Sequence, residues 1–130
     1  MIQSFSIHST SHDELIDITS DVAEVVRGSK ISEGVCYIYT PHTTAAITIN
    51  ENADPAVQKD ILKGLSHFKL ESISFSHLEG NSPSHIKSSL IGCSEIVIIS
   101  QGRLLLGTWQ GIYFCEFDGP RTRKVHVKVM

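Results

Sequence analysis

The stretch that decides the fold begins at Glu95-Ile96-Val97-Ile98-Ile99-Ser100 and continues through Arg103-Leu104-Leu105-Leu106-Gly107, Ile112-Tyr113-Phe114-Cys115-Glu116-Phe117 and Lys124-Val125-His126-Val127-Lys128-Val129. Its four runs are rich in β-branched, aliphatic and aromatic residues, the composition that suits a pleated, half-buried surface. Gln101-Gly102 and Asp118-Gly119-Pro120 stand between runs as turn signals. No helical pattern separates these strands.

Upstream, Phe5 to His8 reads as a short first strand. Ser11-His12-Asp13-Glu14 has the spacing of a capping box, with Leu15, Ile18, Val22 and Val25 or Val26 at helical intervals behind it and Gly28 as a stop. Val35 to Tyr39 and Ala45 to Ile49 read as strands broken by Pro41. Asp54-Pro55 opens a second helix, with Val57, Ile61, Leu62 and Leu65 on its inner face. Ile73 to Phe75 reads as a short strand. Ser82-Pro83 opens a third helix with Ile86, Leu90 and Ile91 inward, ended by Gly92. Helices and strands in this irregular order give no repeated βα unit. The expectation is a single α+β domain over residues 1–130, with a mixed, mostly antiparallel, barrel-like sheet and about three helices.

Composition narrows the function classes. The chain has 130 residues, 41% hydrophobic and 19% charged, and a formal net charge of −3. That length buries a core without metal or disulfide support. The charge gives no global field for nucleic acid or an anionic membrane. Arg121, Arg123, Lys124 and Lys128 cluster near the C-terminus and read first as a solvated strand face. No apolar run is long enough to span a bilayer. Met1-Ile2-Gln3-Ser4 has no charged region leading into an apolar stretch, so no leader is expected. Cys36, Cys93 and Cys115 are odd in number and far apart, which suits a reduced, cytoplasmic setting.

Of seven histidines, His8, His12, His67 and His126 read as ordinary residues. His42, between Pro41 and Thr43-Thr44, lies at a break between two apolar strands. His77 opens His77-Leu78-Glu79-Gly80-Asn81, and His85 sits one turn into the third helix. Imidazole is a common metal ligand and general base near neutral pH. Three imidazoles would leave a fourth zinc position open, with Glu79 to orient a ligand or move a proton. The spacing also fits histidines that only bond loop backbone. Gly80-Asn81-Ser82 runs into a helix N-terminus, where an anion could be held with help from Lys87 or Arg121. Cys115 fits either a buried small hydrophobe or a thiolate near the histidines.

Three motifs resemble the YjbQ-like family. The first is Pro41-His42-Thr43-Thr44-Ala45-Ala46 followed by Thr48-Ile49-Asn50-Glu51-Asn52. The second runs from His77-Leu78-Glu79-Gly80-Asn81 through His85-Ile86-Lys87-Ser88-Ser89-Leu90-Ile91-Gly92. The third runs from Leu106-Gly107-Thr108-Trp109-Gln110-Gly111 through Asp118-Gly119-Pro120-Arg121. The resemblance covers nearly the whole chain, with Ser82-Pro83-Ser84 standing in the second motif where the family has variable small or polar residues. It implies a homotrimer and a polar pocket holding His42, His77 and His85, with a divalent metal such as zinc, or an anion. It also implies a weak, secondary thiamine-phosphate synthase activity, and hence a small phosphorylated partner. Glu79, Asn81, Cys115, Lys87 and Arg121 are then the supporting site residues. The alternative expectation is a trimer that binds a metal or small anion without catalysis.

Overall fold

Every strand pair in the chain is antiparallel, and the pairs fall into two sheets. The computed structural model describes residues 1–130. The strands are β1 (Ile2–His8), β2 (Glu14–Asp17), β3 (Gly34–Tyr39), β4 (Ala45–Glu51), β5 (Ser94–Ser100), β6 (Arg103–Leu104), β7 (Gln110–Glu116) and β8 (Thr122–Val129). The helices are α1 (Thr19–Ser29), α2 (Pro55–Ser66) and α3 (Ser82–Ile91). One sheet has the order β1-β8-β3-β5-β6 and the other β2-β7-β4. The α+β expectation holds, and the sheet is antiparallel throughout, in a five-stranded and a three-stranded piece.

The two sheets meet over a common core. Cys36, Ile38, Val97, Ile99, Val125 and Val127 of the larger sheet face Ala45, Ile47, Ile112 and Phe114 of the smaller one, and Val22 and Val26 of α1 close the cluster. Each of the Val, Ile and Phe side chains contributes about 1.5–3 kcal/mol when fully buried. The run at β7 does not alternate in polarity because both of its faces are covered. Ile112 and Phe114 point into the main core, whereas Tyr113 and Cys115 point the other way, into a second cluster with Leu15, Ala46 and Phe117. Ile61, Leu62 and Leu65 of α2 pack on that second cluster.

Several local expectations change. Glu14 is a strand residue, paired with Glu116, and its carboxylate accepts from Thr10 N at 2.9 Å rather than completing a capping box. Leu15 and Ile16 each have a core to enter, one on either face, so pairing with β7 outcompetes the helix. Asp17 Oδ1 instead accepts from Thr19 N, and α1 starts there. It runs through Gly28 and ends where Lys30 takes a left-handed conformation (φ 60°). Asp54 caps α2 as expected, accepting from Ala56 N at 2.9 Å. Ile73 to Phe75 forms no strand, and the paired part of the 103–107 run is only Arg103–Leu104.

The third helix presents an unexpected face. Its buried residues are Ser84, Lys87 and Ser88, while Leu90 is exposed. Ser84 Oγ donates to Phe117 O and Ser88 Oγ to Ala45 O, both at 2.6 Å. The helix therefore docks on carbonyls at the end of the smaller sheet, and its serines satisfy acceptors that would otherwise be buried unpaired. No helix in the chain is long and apolar enough to cross a membrane.

Candidate functional site

The period of two along a strand builds the floor of the site. Glu116 follows Ile112 and Phe114 on the inward face of β7, and Arg123 precedes Val125 and Val127 on the inward face of β8. The two therefore meet at one end of the inter-sheet core. Arg123 Nε donates to Glu116 Oε1 at 2.9 Å and Nη2 to Glu116 Oε2 at 2.5 Å. Nη2 also donates to Thr44 Oγ1 at 2.8 Å. Glu116 further accepts from Ser9 Oγ (2.7 Å) and from Asp118 N (3.0 Å). Burial pushes the Glu116 carboxyl up, but these hydrogen bonds and the guanidinium charge together hold it below the usual carboxylate range.

Loops at that end supply the walls. The turn after β7 comes so close to the chain before β2 that a Cβ on Gly119 would collide with Ser11 O. That approach leaves room only for glycine. The same turn holds Asp118, which accepts from Asn81 Nδ2 and from Arg121 Nη2, each at 2.9 Å. Arg121 Nε donates to Asp118 O at 2.7 Å. His42, in the loop between β3 and β4, accepts through Nε2 from Lys124 N at 2.9 Å. His77 and His85 stand edge to face, their ring centroids 5.4 Å apart.

Over this floor opens a cavity of about 400 Å³. His42, His77, Glu79, Asn81, His85 and Arg121, all expected from the sequence, line it together, and Pro41 is its only non-polar member. Two expected residues do not join them. Cys115 is buried between β7 and α2, on the far face of the strand, and burial followed by the Glu95 charge pushes its thiol up to about 12. It is a protonated core residue, and no thiolate faces the pocket. Lys87 is buried as well. Its Nζ lies 2.9 Å from Asp13 Oδ2 and 3.5 Å from Glu71 Oε1, which ties α3 to neighbouring loops away from the cavity.

Asn81 occupies the N-cap of α3 without a side-chain cap bond. Ser84 N and His85 N both donate to Asn81 O, and Pro83 has no N–H, so the helix end itself offers an anion little. Asn81 Oδ1 is buried with no hydrogen-bond partner.

Arg123, Thr44 and Asp118 also line the cavity, though the sequence reading does not place them there. The available signal was parity: Arg123 shares its phase with Val125 and Val127, so it could not belong to the solvated face formed by Lys124 and Lys128. Glu116, in phase with Phe114, is its only acidic counterpart on the inward face of β7.

The donors in the cavity are specific. A guanidinium has five N–H groups. Arg121 and Arg123 each engage protein through Nε and Nη2, which leaves both Nη1 groups without a protein acceptor. Burial, then the charge of Arg123, lower the His42 pKa, so its imidazole is neutral. Its Nε2 lone pair is taken by the Lys124 amide, so Nδ1 carries the proton and is a donor. That same bond bears on how a metal would be held. A neutral imidazole has one ring lone pair to give, and His42 has used it. No group of three or more His, Cys, Asp or Glu side chains is arranged to hold a metal ion. The donor set does not fit a three-histidine zinc centre in this arrangement.

Comparison with known proteins agrees with the fold. A family model described as UPF0047 protein YjbQ-like matches residues 3–130. A UPF0047 protein of Methanocaldococcus jannaschii is 53% identical, covering 100% of this chain and 94% of that protein. The UPF0047 protein YugU of Bacillus subtilis is 52% identical, covering 100% of this chain and 99% of that one. The crystal structure of an uncharacterized YjbQ/UPF0047 protein of Clostridium acetobutylicum superposes with a TM-score of 0.96 at 52% identity, over 98% of this chain and 99% of its own. The chain belongs to the YjbQ-like UPF0047 family.

Proposed function

We propose that this pocket binds the phosphoryl end of a small molecule and that its histidines move a proton there, making the protein an enzyme on phosphorylated substrates. The observation that carries this reading is Arg123. It is a guanidinium fixed by Glu116 and Thr44 at the floor of a polar cavity, with one nitrogen free to meet an oxyanion. Arg121 and the Nδ1–H of His42 add donors from two other walls. Fixed donors of this kind stabilise charge that develops on a departing phosphate or diphosphate. His77, His85 and Glu79 are the groups placed to give or take a proton. The thiamine-phosphate synthase side activity implied by the family resemblance would use the same features, because there diphosphate leaves. The lining arginines are balanced by Glu79 and Asp118, so affinity would come from directed hydrogen bonds more than from net charge.

Titration of the wild-type chain with inorganic phosphate and pyrophosphate tests the binding half. Saturable binding that falls by about tenfold or more in Arg121→Ala supports it, since a charge-assisted hydrogen bond contributes about 1.5–3 kcal/mol. The Arg121 side chain is 52% exposed, so the substitution leaves folding nearly unchanged. Absence of binding in the wild type overturns the reading. For catalysis, release of phosphate or diphosphate from a panel of phosphorylated small molecules is followed in wild type and His85→Ala. Turnover that survives the substitution removes His85 from the mechanism, and binding without any turnover leaves an anion-binding protein.

A divalent metal is the second reading, and the approach of His77 to His85 is what favours it. It requires His42 to give up the Lys124 amide. Elemental analysis of untagged protein purified without chelator, repeated on His42→Ala, decides it. About one zinc per chain, lost in the variant, establishes the metal; none after reconstitution removes it. The trimer belongs to the same proposal. Tyr37 and Ile96, paired across β3 and β5, together with Tyr39 and Ile98, leave an exposed apolar strip on the outer face of the larger sheet. An assembly would cover it, and sedimentation equilibrium reads the mass.

A further inference from the structure

The polar cavity does not end at the histidine pair. A shallow, open groove of about 370 Å³ adjoins it, lined by Phe75, Ile86 and Ser82 together with His77 and His85. The groove and the polar cavity therefore share His77 and His85 as a common wall. Phe75 belongs to neither hydrophobic core and is 37% exposed, in a segment without regular structure. Its neighbour Ile73 is 50% exposed. Ile86 also lies outside both cores, because Ser84, Lys87 and Ser88 take the inward face of α3. The fold thus presents an aromatic ring and an aliphatic side chain, neither of them part of a core, beside a site whose other lining is polar. Ligand sites combine these elements, with apolar walls that take the body and a few convergent polar groups that fix the end.

We infer that the ligand is a phosphate ester whose phosphate carries an apolar body about one ring in size, seated over Phe75 and Ile86. This rests on the reading that the polar cavity holds the phosphate, and it names the substrate class within it. A polyhydroxylated body, as in a sugar or glycerol phosphate, would place hydroxyls against Phe75 and Ile86 with no side-chain partner there except Ser82 and the two imidazoles. An apolar ring removes the exposed surface of Phe75 from water and meets the π faces of Phe75 and the histidines. The ester oxygen then lies at the shared wall, beside His77 and His85.

The test is calorimetric titration of the full chain with inorganic phosphate, phenyl phosphate and glycerol 3-phosphate, in wild type and Phe75→Ala. The side chain of Phe75 is outside the cores, so the variant folds, and circular dichroism verifies this. The expected result is phenyl phosphate binding about tenfold or more tighter than the other two in wild type. Phe75→Ala is expected to abolish that preference and leave the phosphate affinity unchanged. Equal affinities for all three probes overturn the inference while the phosphate reading stands. A preference that survives in Phe75→Ala also overturns it. Failure of all three to bind removes the phosphate reading and this inference with it.

Discussion

Replacing Arg123 with Met removes the guanidinium from Glu116 and leaves a carboxylate with no exposed surface at the end of the core. Its remaining donors are Ser9 Oγ and Asp118 N. Breaking a buried ion pair from one side costs about 3–5 kcal/mol, because the surviving charge stays buried without compensation. At about 2.1 cal/mol/K of unfolding entropy per residue, this corresponds to a fall in Tm of about 10–20 °C for a chain this long. The deficit depends on pH. In the wild type the Glu116 pKa is held below its ordinary 4.5, so the contribution is complete above that value and is lost as pH falls through the folded-state pKa. In the variant, burial is opposed only by Ser9 and one amide, and the carboxyl rises above its unfolded value. The variant therefore gains stability as pH falls. Urea unfolding followed by circular dichroism at pH 7 and pH 5 should show a deficit largest at pH 7 and narrowing towards acid. A deficit below about 1 kcal/mol at pH 7, or one that does not change with pH, would refute the buried pair as the keystone of the pocket floor.

The His42 imidazole should titrate below 6.5 in NMR spectra of the folded protein, because burial and Arg123 lower its pKa. Its neutral form is favoured on folding, so this contribution is present above 6.5 and lost as pH falls through the lowered value; a midpoint at or above 6.5 would contradict the assignment. Of the three cysteines, Cys93 is exposed while Cys36 and Cys115 are buried with thiols pushed up to about 11 and about 12. Native protein should therefore titrate one thiol with a disulfide reagent and none in Cys93→Ser, and a fast second thiol would count against the placement of Cys115. Ser88→Ala leaves Ala45 O without its 2.6 Å donor and should cost about 1–3 kcal/mol in urea unfolding. A loss near zero would mean that the serine face of α3 does not hold the helix to the sheet.

The sequence by itself determined most of the elements. The β7 run, the β8 alternation and the Asp54-Pro55 start of α2 could be read because they depend on local composition, strand period and capping. His42, His77, Glu79, Asn81 and His85 stand out by their local company and by the motif resemblance, and the fold brings all five to one cavity. Tertiary structure decided the rest. Glu14 to Asp17 have an acceptable helical pattern, but two cores on opposite faces of β2 make the strand the better burial. The α3 residues Ser84 and Ser88 look like a solvent face until the sheet end supplies carbonyls for them. Lys87 and Cys115 left the site for the same kind of reason, since acidic partners and a second core claim them from directions no one-dimensional pattern encodes. Arg123 and Glu116 are seven residues apart, and a strand period can say only that each faces inward. That they face each other, and so leave one guanidinium nitrogen for the pocket, follows from how two sheets are stacked, which is set by the packing of the whole core.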